Sequence, residues 1–283
     1  MTFTAVMGDN LPHNYMKRKV TDQFFDTHTV FSLEDAEEYL ALPGGRAGTI
    51  ERLKYYLDQG RLKGIARGIY AVVPPGVSPD DFSPDPFLVA AAARSDCVFA
   101  YHSALELLGA AHSAWNNYTV FVESYRREIH LDDSRIKFLA YPKNLHKNNA
   151  LKIGTHKIER QGKLLITTGE ERTLVEGFRN PHYTGGLEEL LQSAGGFSVL
   201  DLDLLEKILY IYETLKLFSA VGWFLENFQK SFHVPDRFLA GLEKHKPSSP
   251  LYLIRSQRGG KLVERWNLII PEDCLSLVEN HAA

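Results

Sequence analysis

Residues 60–73 read GRLKGIARGIYAVV and follow directly on a helical pattern. Apolar residues alternate there with Arg61, Lys63 and Arg67, which predicts two short strands around a turn near residues 66–68. Gly68 suits such a turn because glycine adopts positive φ without strain. A ribbon that presents three cations is typical of a surface that contacts nucleic-acid phosphates.

A helix, a turn and a second helix precede this ribbon in the sequence pattern. Ser32 is followed three residues later by Asp35, which predicts a capped helix that ends in the turn at residues 43–45. The second helix opens at residue 48 or 49 and ends at Gly60. Its apolar stripe comprises Ile50, Leu53 and Leu57. Helix, turn, helix and ribbon is the order of a winged helix-turn-helix.

The charge along this segment supports the same interpretation. Residues 44–73 carry six cations and two anions, a net charge of +4 in a chain whose total is −3. The preceding helix carries no cation and four acids, Glu34, Asp35, Glu37 and Glu38. We therefore expect the later helix and the ribbon to face phosphates and the acidic helix to point elsewhere. An ordinary solvated surface could carry the same charges, so the order of the elements decides.

This arrangement assigns DNA-binding roles to seven residues. A recognition helix enters the major groove by its N-terminal end, so the first three are candidates for base edges or the nearest phosphates. The next three would position the protein through phosphates, and the last would reach the minor groove from the ribbon tip. In that order the residues are Arg46, Thr49, Arg52, Lys54, Arg61, Lys63 and Arg67.

The proline-rich residues 74–79 give the clearest linker signal. They separate a winged helix-turn-helix at 21–75 from a larger mixed α+β domain at 76–283. A polar leader at 1–20 precedes the first domain. A short helix is expected at 21–30. The fold class is therefore α+β, with the winged helix at the N-terminus.

The pattern of the second domain predicts both helices and strands. Strands are expected at 118–123, 136–140 and 164–167. Helices are expected at 86–94, 102–109, 170–178, 187–193, 202–218 and 221–228. Residues 251–255 and 262–270 resemble the two strands of a hairpin.

Composition narrows the class of protein. The 283 residues include only two cysteines, Cys97 and Cys274, and these lack the spacing of metal ligands. So few cysteines favour a reducing cytoplasm. We expect no signal peptide and no membrane span, because no apolar stretch has the required character or length. The eleven histidines are scattered, and no phosphate-binding glycine motif occurs, so we expect no metal and no cofactor.

Three blocks of the sequence resemble the AbiEi family of antitoxins. They are residues 49–70, which contain the ribbon, residues 101–105 (YHSAL), and residues 171–176 (ERTLVE) with 180–189 (NPHYTGGLEE). The blocks occur in the family's order, and the resemblance extends over about residues 22–195.

The resemblance implies a function that composition and spacing do not show. Such proteins are the antitoxins of type IV toxin–antitoxin loci, which are often linked to phage defence. Their winged helix represses the operon's own promoter. The larger C-terminal region is associated with neutralising a nucleotidyltransferase-type toxin without a stable complex. We accordingly expect a protein that is not an enzyme and that binds operator DNA, with inverted repeats engaging two copies on the DNA.

Residues 168–190 allow two interpretations. One is a surface for toxin antagonism built from Arg172, Glu176, Arg179 and Tyr183. The other is architecture, in which Thr168 caps a helix and the glycine and proline residues turn the chain into the next helix.

Two functions of other classes stay open. One is a stand-alone transcription regulator whose second domain senses a ligand, which a partly polar pocket in that domain would favour. The other is a DNA-acting enzyme that the winged helix targets, which clustered acids in a cleft would favour. Asp201 and Asp203 resemble a metal-binding carboxylate pair, but the glycine–serine turn that a nucleotidyltransferase needs is too close, so we expect a helix cap.

Overall fold

A computed structural model of the chain describes residues 13–254 and 259–282. Contacts divide the chain into two compact units, one up to Ser95 and the other from Asp96 onwards. The described residues form helices and mixed sheets, and the fold is of the α+β class. Among these residues, every helix is too short or too polar to cross a membrane.

The N-terminal unit contains four helices and a three-stranded antiparallel sheet in its described part. The elements are α1 (His13–Thr27), β1 (Val30–Ser32), α2 (Leu33–Leu40), α3 (Gly45–Asp58), β2 (Leu62–Ala66), β3 (Ile69–Val72) and α4 (Pro86–Ala93). The strand order is β1-β3-β2. The predicted helix, turn, helix and ribbon are therefore present, and strand β1 is an addition to them.

Local signals in the sequence explain several boundaries of this unit. The Ser32 Oγ accepts a hydrogen bond from the Asp35 amide at 3.0 Å, and the Asp35 carboxylate accepts one from the Ser32 amide at 2.8 Å. This capping box starts α2 as predicted and contributes on the order of 1 kcal/mol. Gly60 and Gly68 have positive φ, at the end of α3 and at the β2–β3 turn respectively.

The first helix differs from the prediction at both ends. Helix α1 begins at His13, inside the predicted leader, and residues 1–12 of that leader lie outside the described residues. It ends at Thr27, because Val30 and Phe31 leave the helix and pair with Ala71 and Tyr70 of β3. The side chains of Val30 and Phe31 are both buried.

Helix α3 starts earlier and faces differently than the sequence pattern indicates. It begins at Gly45, and its buried residues are Thr49, Leu53 and Tyr56. Ile50, assigned to the buried stripe, is 46% exposed, so that assignment is wrong. A Cβ at Gly48 would lie 2.4 Å from the Pro43 carbonyl oxygen, so glycine is needed for α3 to pack on the turn.

The unit boundary lies beyond the proline-rich segment. Helix α4 packs on β1 and β3, which joins residues up to Ser95 to the N-terminal unit. The Asp85 carboxylate accepts a hydrogen bond from the Phe87 amide at 2.8 Å, and Pro86 occupies the first turn, so the start of α4 is well capped.

The C-terminal unit is built on a six-stranded mixed sheet of order β6-β7-β5-β4-β9-β8. Its strands are β4 (Val98–Phe99), β5 (Asn117–Val122), β6 (Ile129–Leu131), β7 (Ser134–Ala140), β8 (Thr155–Arg160) and β9 (Lys163–Thr168). Strands β5, β7 and β9 match the three predicted strands. The two-residue β4 and the two edge strands β6 and β8 were not predicted, because their patterns are short or strongly polar.

Eight helices accompany this sheet among the described residues. They are α5 (His102–Leu107), α6 (Lys143–Lys147), α7 (Glu170–Arg179), α8 (Leu187–Gly195), α9 (Leu202–Tyr212), α10 (Leu215–Asn227), α11 (Asp236–Glu243) and α12 (Glu272–Ala282). The predicted helix at 202–218 is two helices, because Glu213 adopts a left-handed conformation (φ 50°). Gly169 precedes α7 as its N-cap, whereas the Thr168 hydroxyl lies 2.7 Å from that of Thr173.

A second small sheet replaces the predicted hairpin near the C-terminus. Its strands are β10 (Leu251–Tyr252), β11 (Lys261–Val263) and β12 (Leu268–Ile270), in the order β10-β12-β11. Strand β12 is central, parallel to β10 and antiparallel to β11. The predicted segments 251–255 and 262–270 therefore pair in parallel, and the predicted hairpin between them is wrong. Residues 255–258 themselves lie outside the described residues.

Candidate nucleic-acid interface

Helix α3 presents one face to the core and the opposite face to solvent. The buried residues Thr49, Leu53 and Tyr56 follow helical spacing. The outward face is formed by Arg46, Ala47, Ile50, Glu51, Lys54, Tyr55 and Asp58, all of them exposed. Ala47 and Tyr55 are not among the predicted site residues, and Ile50 was predicted to be buried. The apolar spacing of residues 50, 53 and 57 indicates a different buried face from the one that Thr49, Leu53 and Tyr56 form.

Arg46 is held by two glutamates of the acidic helix α2. Its guanidinium nitrogens lie 2.9 Å from the Glu34 Oε1 and 3.2 Å from the Glu37 Oε2. The hydrogen bond between Arg46 and Glu34 lowers the pKa of Glu34 and raises the pKa of Arg46. The expectation that α2 points away from the cations is therefore wrong, because two of its acids neutralise the first cation of α3.

Thr49 does not present its hydroxyl to a base. Its side chain is fully buried, and its hydroxyl lies 3.1 Å from the Gly45 carbonyl oxygen, to which it donates. The predicted base contact is wrong because α3 is rotated so that Thr49 faces the core together with Leu53.

Arg61 and Lys63 have partners inside the N-terminal unit. The Arg61 Nη1 lies 2.7 Å from the Asp22 Oδ1, and its guanidinium lies over the rings of Phe25 and Tyr56 at 5.4 and 5.2 Å from their centroids. The Lys63 ammonium donates to the Phe82 carbonyl oxygen at 2.6 Å. These contacts connect the start of the ribbon to α1 and to the segment before α4, which gives both cations a structural role.

Three of the cations predicted to bind DNA remain available to a ligand. Within the described part of the chain, Arg52, Lys54 and Arg67 make no hydrogen bond or ion pair. Lys54 and Arg67 are exposed, and Arg52 is half-buried. Arg52 belongs to a cleft of about 400 Å³ at the start of α3. The cleft is lined by Leu42, Pro43, Gly48, Glu51, Arg52 and Tyr55.

The tip of the ribbon is short and anchored. Strands β2 and β3 are joined by Arg67 and Gly68 alone. The Gly68 carbonyl oxygen accepts a hydrogen bond from the Leu33 amide at 2.8 Å, at the start of α2. Gly68 has φ +74°, a conformation that favours glycine. The ribbon therefore reaches outward through the Arg67 side chain rather than through an extended loop.

The four residues proposed as an antitoxin surface divide into two pairs. Arg172 and Glu176 are fully buried, so their assignment to a surface is wrong. Arg179 is exposed and Tyr183 is half-buried. The Tyr183 ring lies 5.1 Å from that of Tyr101, centroid to centroid.

Arg172 instead organises the interior of the C-terminal unit. Its Nε donates to the Glu176 Oε1 at 2.9 Å, and its Nη1 donates to the carbonyl oxygens of Leu151 and Ile153 at 2.7 and 3.0 Å. The Tyr212 hydroxyl of α9 also donates to the Glu176 carboxylate. Burial and the negative charge of Glu176 raise the pKa of Tyr212, so this hydroxyl stays a donor. The network thus joins α7, α9 and the loop before β8.

One cluster of the second unit has the composition of a metal site. Ligand atoms of His156, Glu170 and Glu171 lie within 4.8 Å of one another. The Glu171 Oε1 already accepts a hydrogen bond from the Asp201 amide at 2.7 Å. The two glutamates occupy the first turn of α7, where the helix dipole favours carboxylates without a cation. Asp201 caps α9, as predicted, by accepting from the Leu204 amide at 3.0 Å.

Comparisons with known proteins support the fold. No protein-family model matches this chain, and a search of curated proteins finds no match. Among solved structures, the chain is similar to the crystal structure of the RV2827C protein from Mycobacterium tuberculosis, with a TM-score of 0.60 and 15% sequence identity. The likeness covers 95% of this chain and 95% of that chain, and at this identity it concerns the fold alone.

Proposed function

We propose that this protein is an antitoxin of the AbiEi type that binds its own promoter DNA. In this proposal the N-terminal unit is a winged helix-turn-helix, in which α3 enters the major groove and the β2–β3 ribbon is the wing. The C-terminal unit neutralises a nucleotidyltransferase-type toxin without forming a stable complex. The protein acts in the cytoplasm, needs no cofactor and is not an enzyme.

The distribution of cations around α3 carries the DNA-binding part of this proposal. Arg46, Arg61 and Lys63 are engaged within the unit, whereas Arg52, Lys54 and Arg67 have no partner among the described residues. A cation without an internal partner can bind a phosphate without first giving up an ion pair. The anchored ribbon also limits the reach of Arg67, so we expect a single minor-groove or phosphate contact from the wing.

A mobility-shift assay tests DNA binding directly. The full-length protein is titrated onto the DNA fragment upstream of its own gene and onto an unrelated fragment at physiological salt. Selective retardation of the upstream fragment supports operator binding, and a stepwise second shift indicates two copies on an inverted repeat. Equal or absent retardation of both fragments refutes autorepression through this unit.

Three variants connect the binding to the structure. Arg52→Ala and Arg67→Ala should each weaken binding and reduce the salt dependence of log K by about one unit per lost phosphate contact. Arg46→Ala is the matched control. The cation that it removes is already paired with glutamates, so this variant should change the slope by much less than one unit. Equal slopes in wild type, Arg52→Ala and Arg67→Ala would refute the assignment of α3 and the ribbon.

The antitoxin part rests on the family resemblance and has its own test. A neighbouring gene for a nucleotidyltransferase is expressed from an inducible promoter, with and without this protein. Recovery of growth without co-purification of the two proteins supports neutralisation without a stable complex. Failure to restore growth, or the absence of such a gene, favours a stand-alone transcription regulator. Arg179→Ala and Tyr183→Ala then test the part of the proposed surface that is accessible.

A further inference from the structure

The outward face of α3 carries two exposed apolar residues that phosphate contacts do not explain. Ile50 is 46% exposed and lies outside the core formed around Phe24, Phe31 and Leu53. Ala47 is exposed one helical turn earlier on the same face. Neither side chain can bind a phosphate oxygen, since neither has a donor.

The charged neighbours of Ile50 also indicate that this part of α3 faces bases rather than phosphates. Arg46, at the start of the helix, is paired with Glu34 and Glu37. Glu51 is exposed beside Ile50, and a carboxylate there would repel the DNA backbone. Among the described residues, the first two turns of the outward face therefore offer no unpaired cation, and Lys54 enters only at the next turn. Arg52 is also unpaired within the described part of the chain, but it is half-buried in the cleft beside Leu42 and Pro43 and is not on the outward face.

We propose that Ala47 and Ile50 recognise thymine through its C5-methyl group in the major groove. This inference rests on the proposed DNA-binding function and names the base that α3 reads. The methyl group is an apolar feature of the major-groove edge and marks thymine there. Ile50 suits this contact because a β-branched side chain in a helix holds one strongly preferred χ1 rotamer and presents a fixed apolar surface. Ala47 leaves room for the base pair at the neighbouring turn.

The experiment begins without assuming an operator. The full-length protein selects binding sites from a random-sequence duplex library, and the selected duplex is then synthesised with each thymine replaced singly by deoxyuridine. This replacement removes one methyl group and keeps the base pair and the phosphates. We expect one or two positions at which deoxyuridine weakens binding about fourfold, as the loss of one buried methyl group implies.

Protein variants then assign the effect to Ile50. In Ile50→Ala the duplex should bind more weakly, and thymine and deoxyuridine should be equivalent at the sensitive position. In the matched control Arg67→Ala, both duplexes should lose affinity while the fourfold ratio is kept. Circular dichroism should show both variants folded, since both changed side chains are exposed.

The outcomes separate this inference from the proposed function. If the protein selects DNA but every deoxyuridine duplex binds like its thymine parent, the inference is wrong and DNA binding stands. The inference is equally wrong if Ile50→Ala keeps the fourfold ratio. If the protein enriches no sequence and retains no duplex, the proposed DNA-binding function fails, and the inference fails with it.

Discussion

Helices α3 and α7 each carry an arginine that binds glutamate, but the two pairs lie in opposite environments. On α3, the Arg46 side chain is 53% exposed and its partner Glu34 on α2 is 67% exposed. On α7, Arg172 and Glu176 are both fully buried. The same chemical pair therefore adjusts the charge of a surface in one unit and specifies the packing of a core in the other.

The physical reason for the difference is desolvation. An exposed ion pair exchanges water for a partner of similar strength and gains little. A buried pair has lost its water, so each charge depends on the partners that the fold supplies. Arg172 has three such acceptors besides the rings of Phe121 and Tyr141, whose centroids lie 5.7 and 6.0 Å from its guanidinium carbon. Removing either partner of the buried pair should therefore cost far more than removing a partner of the exposed pair.

The largest expected effect is that of Arg172→Met. The substitution leaves the Glu176 carboxylate buried without its cation and should destabilise the C-terminal unit by about 3–5 kcal/mol. Urea unfolding followed by tryptophan fluorescence measures this, because Trp115, Trp223 and Trp266 all belong to that unit. The double variant Arg172→Met, Glu176→Met is the matched control and should recover part of the loss. A loss of unfolding free energy below about 1 kcal/mol would show that the Arg172–Glu176 pair contributes no more than an exposed ion pair.

The next effect concerns the glycines that allow each helix to pack. A Cβ at Gly48 of α3 would meet the backbone oxygen of Pro43 at 2.4 Å, and one at Gly177 of α7 would meet the flexible end of Leu190 at 2.5 Å. A backbone atom cannot rotate away, so Gly48→Ala should cost about 1–3 kcal/mol and Gly177→Ala less. Amide hydrogen exchange of α3 and urea unfolding of the C-terminal unit measure the two losses.

Gly241→Ala controls for the general effect of alanine in a helix. Nothing lies within 4 Å of its Cβ position in α11, so the substitution should be neutral or stabilise by up to about 1 kcal/mol. If amide hydrogen exchange in α3 were the same in Gly48→Ala and wild type, the close approach of residue 48 to the Pro43 carbonyl oxygen would be refuted.

The two helices also show how far the sequence determines the site. The capping box of Ser32, the positive φ of Gly68 and the position of the ribbon are local features, so residue types and spacing predicted them correctly. The partners of Arg46 lie on another helix. Glu176 is one helical turn from Arg172, but the other members of that buried network, Leu151, Ile153 and Tyr212, are distant in the sequence. The environments of the two arginines depend on how α2 packs beside α3 and how α9 packs beside α7, and no short pattern encodes those distances.

The rotation of α3 is an intermediate case. The apolar residues 50, 53 and 57 fit one helical face, but burial follows Thr49, Leu53 and Tyr56 instead. Tyr56 is buried against Phe25 of α1, which is distant in the sequence, and against Arg61, which follows α3. Tertiary packing therefore determines which of the two faces allowed by the sequence pattern is buried. As a result Thr49 is buried and Ile50 is exposed.

A pH titration compares Glu171, which lies in α7, with Glu34, which lies in α2 beside α3. Burial raises the pKa of Glu171 in α7, whereas the hydrogen bond from Arg46 lowers that of Glu34. With a raised pKa, the folded state binds the proton more tightly than the unfolded state, so Glu171 costs stability as pH rises through its folded pKa. Glu171→Gln should therefore stabilise the protein at pH 7, and the gain should disappear below the usual glutamate pKa of about 4.5.

Glu34→Gln is the opposite control for this titration. Its lowered pKa contributes stability above the usual glutamate value, and this contribution is lost as pH falls through the folded pKa. The contribution is small because the pair with Arg46 is exposed. Thermal unfolding midpoints measured from about pH 3 to pH 8 compare the two variants with wild type. Parallel curves for Glu171→Gln and wild type would show that burial does not perturb Glu171.

The smallest expected effect completes the comparison. Arg46→Ala removes an exposed pair from α3, and the free glutamates Glu34 and Glu37 regain water at once, so the unfolding midpoint should stay within measurement error of wild type. The same change leaves two unpaired carboxylates beside the proposed DNA-binding face, and these should repel phosphates. We therefore expect Arg46→Ala to weaken DNA binding modestly, mainly at low salt because salt screens this repulsion, and to reduce the salt slope by much less than one unit. A titration at several salt concentrations measures both effects. A slope reduced as much as in Arg52→Ala would show that Arg46 leaves its glutamates to contact DNA, and the exposed pair would then be a switchable contact rather than a fixed one.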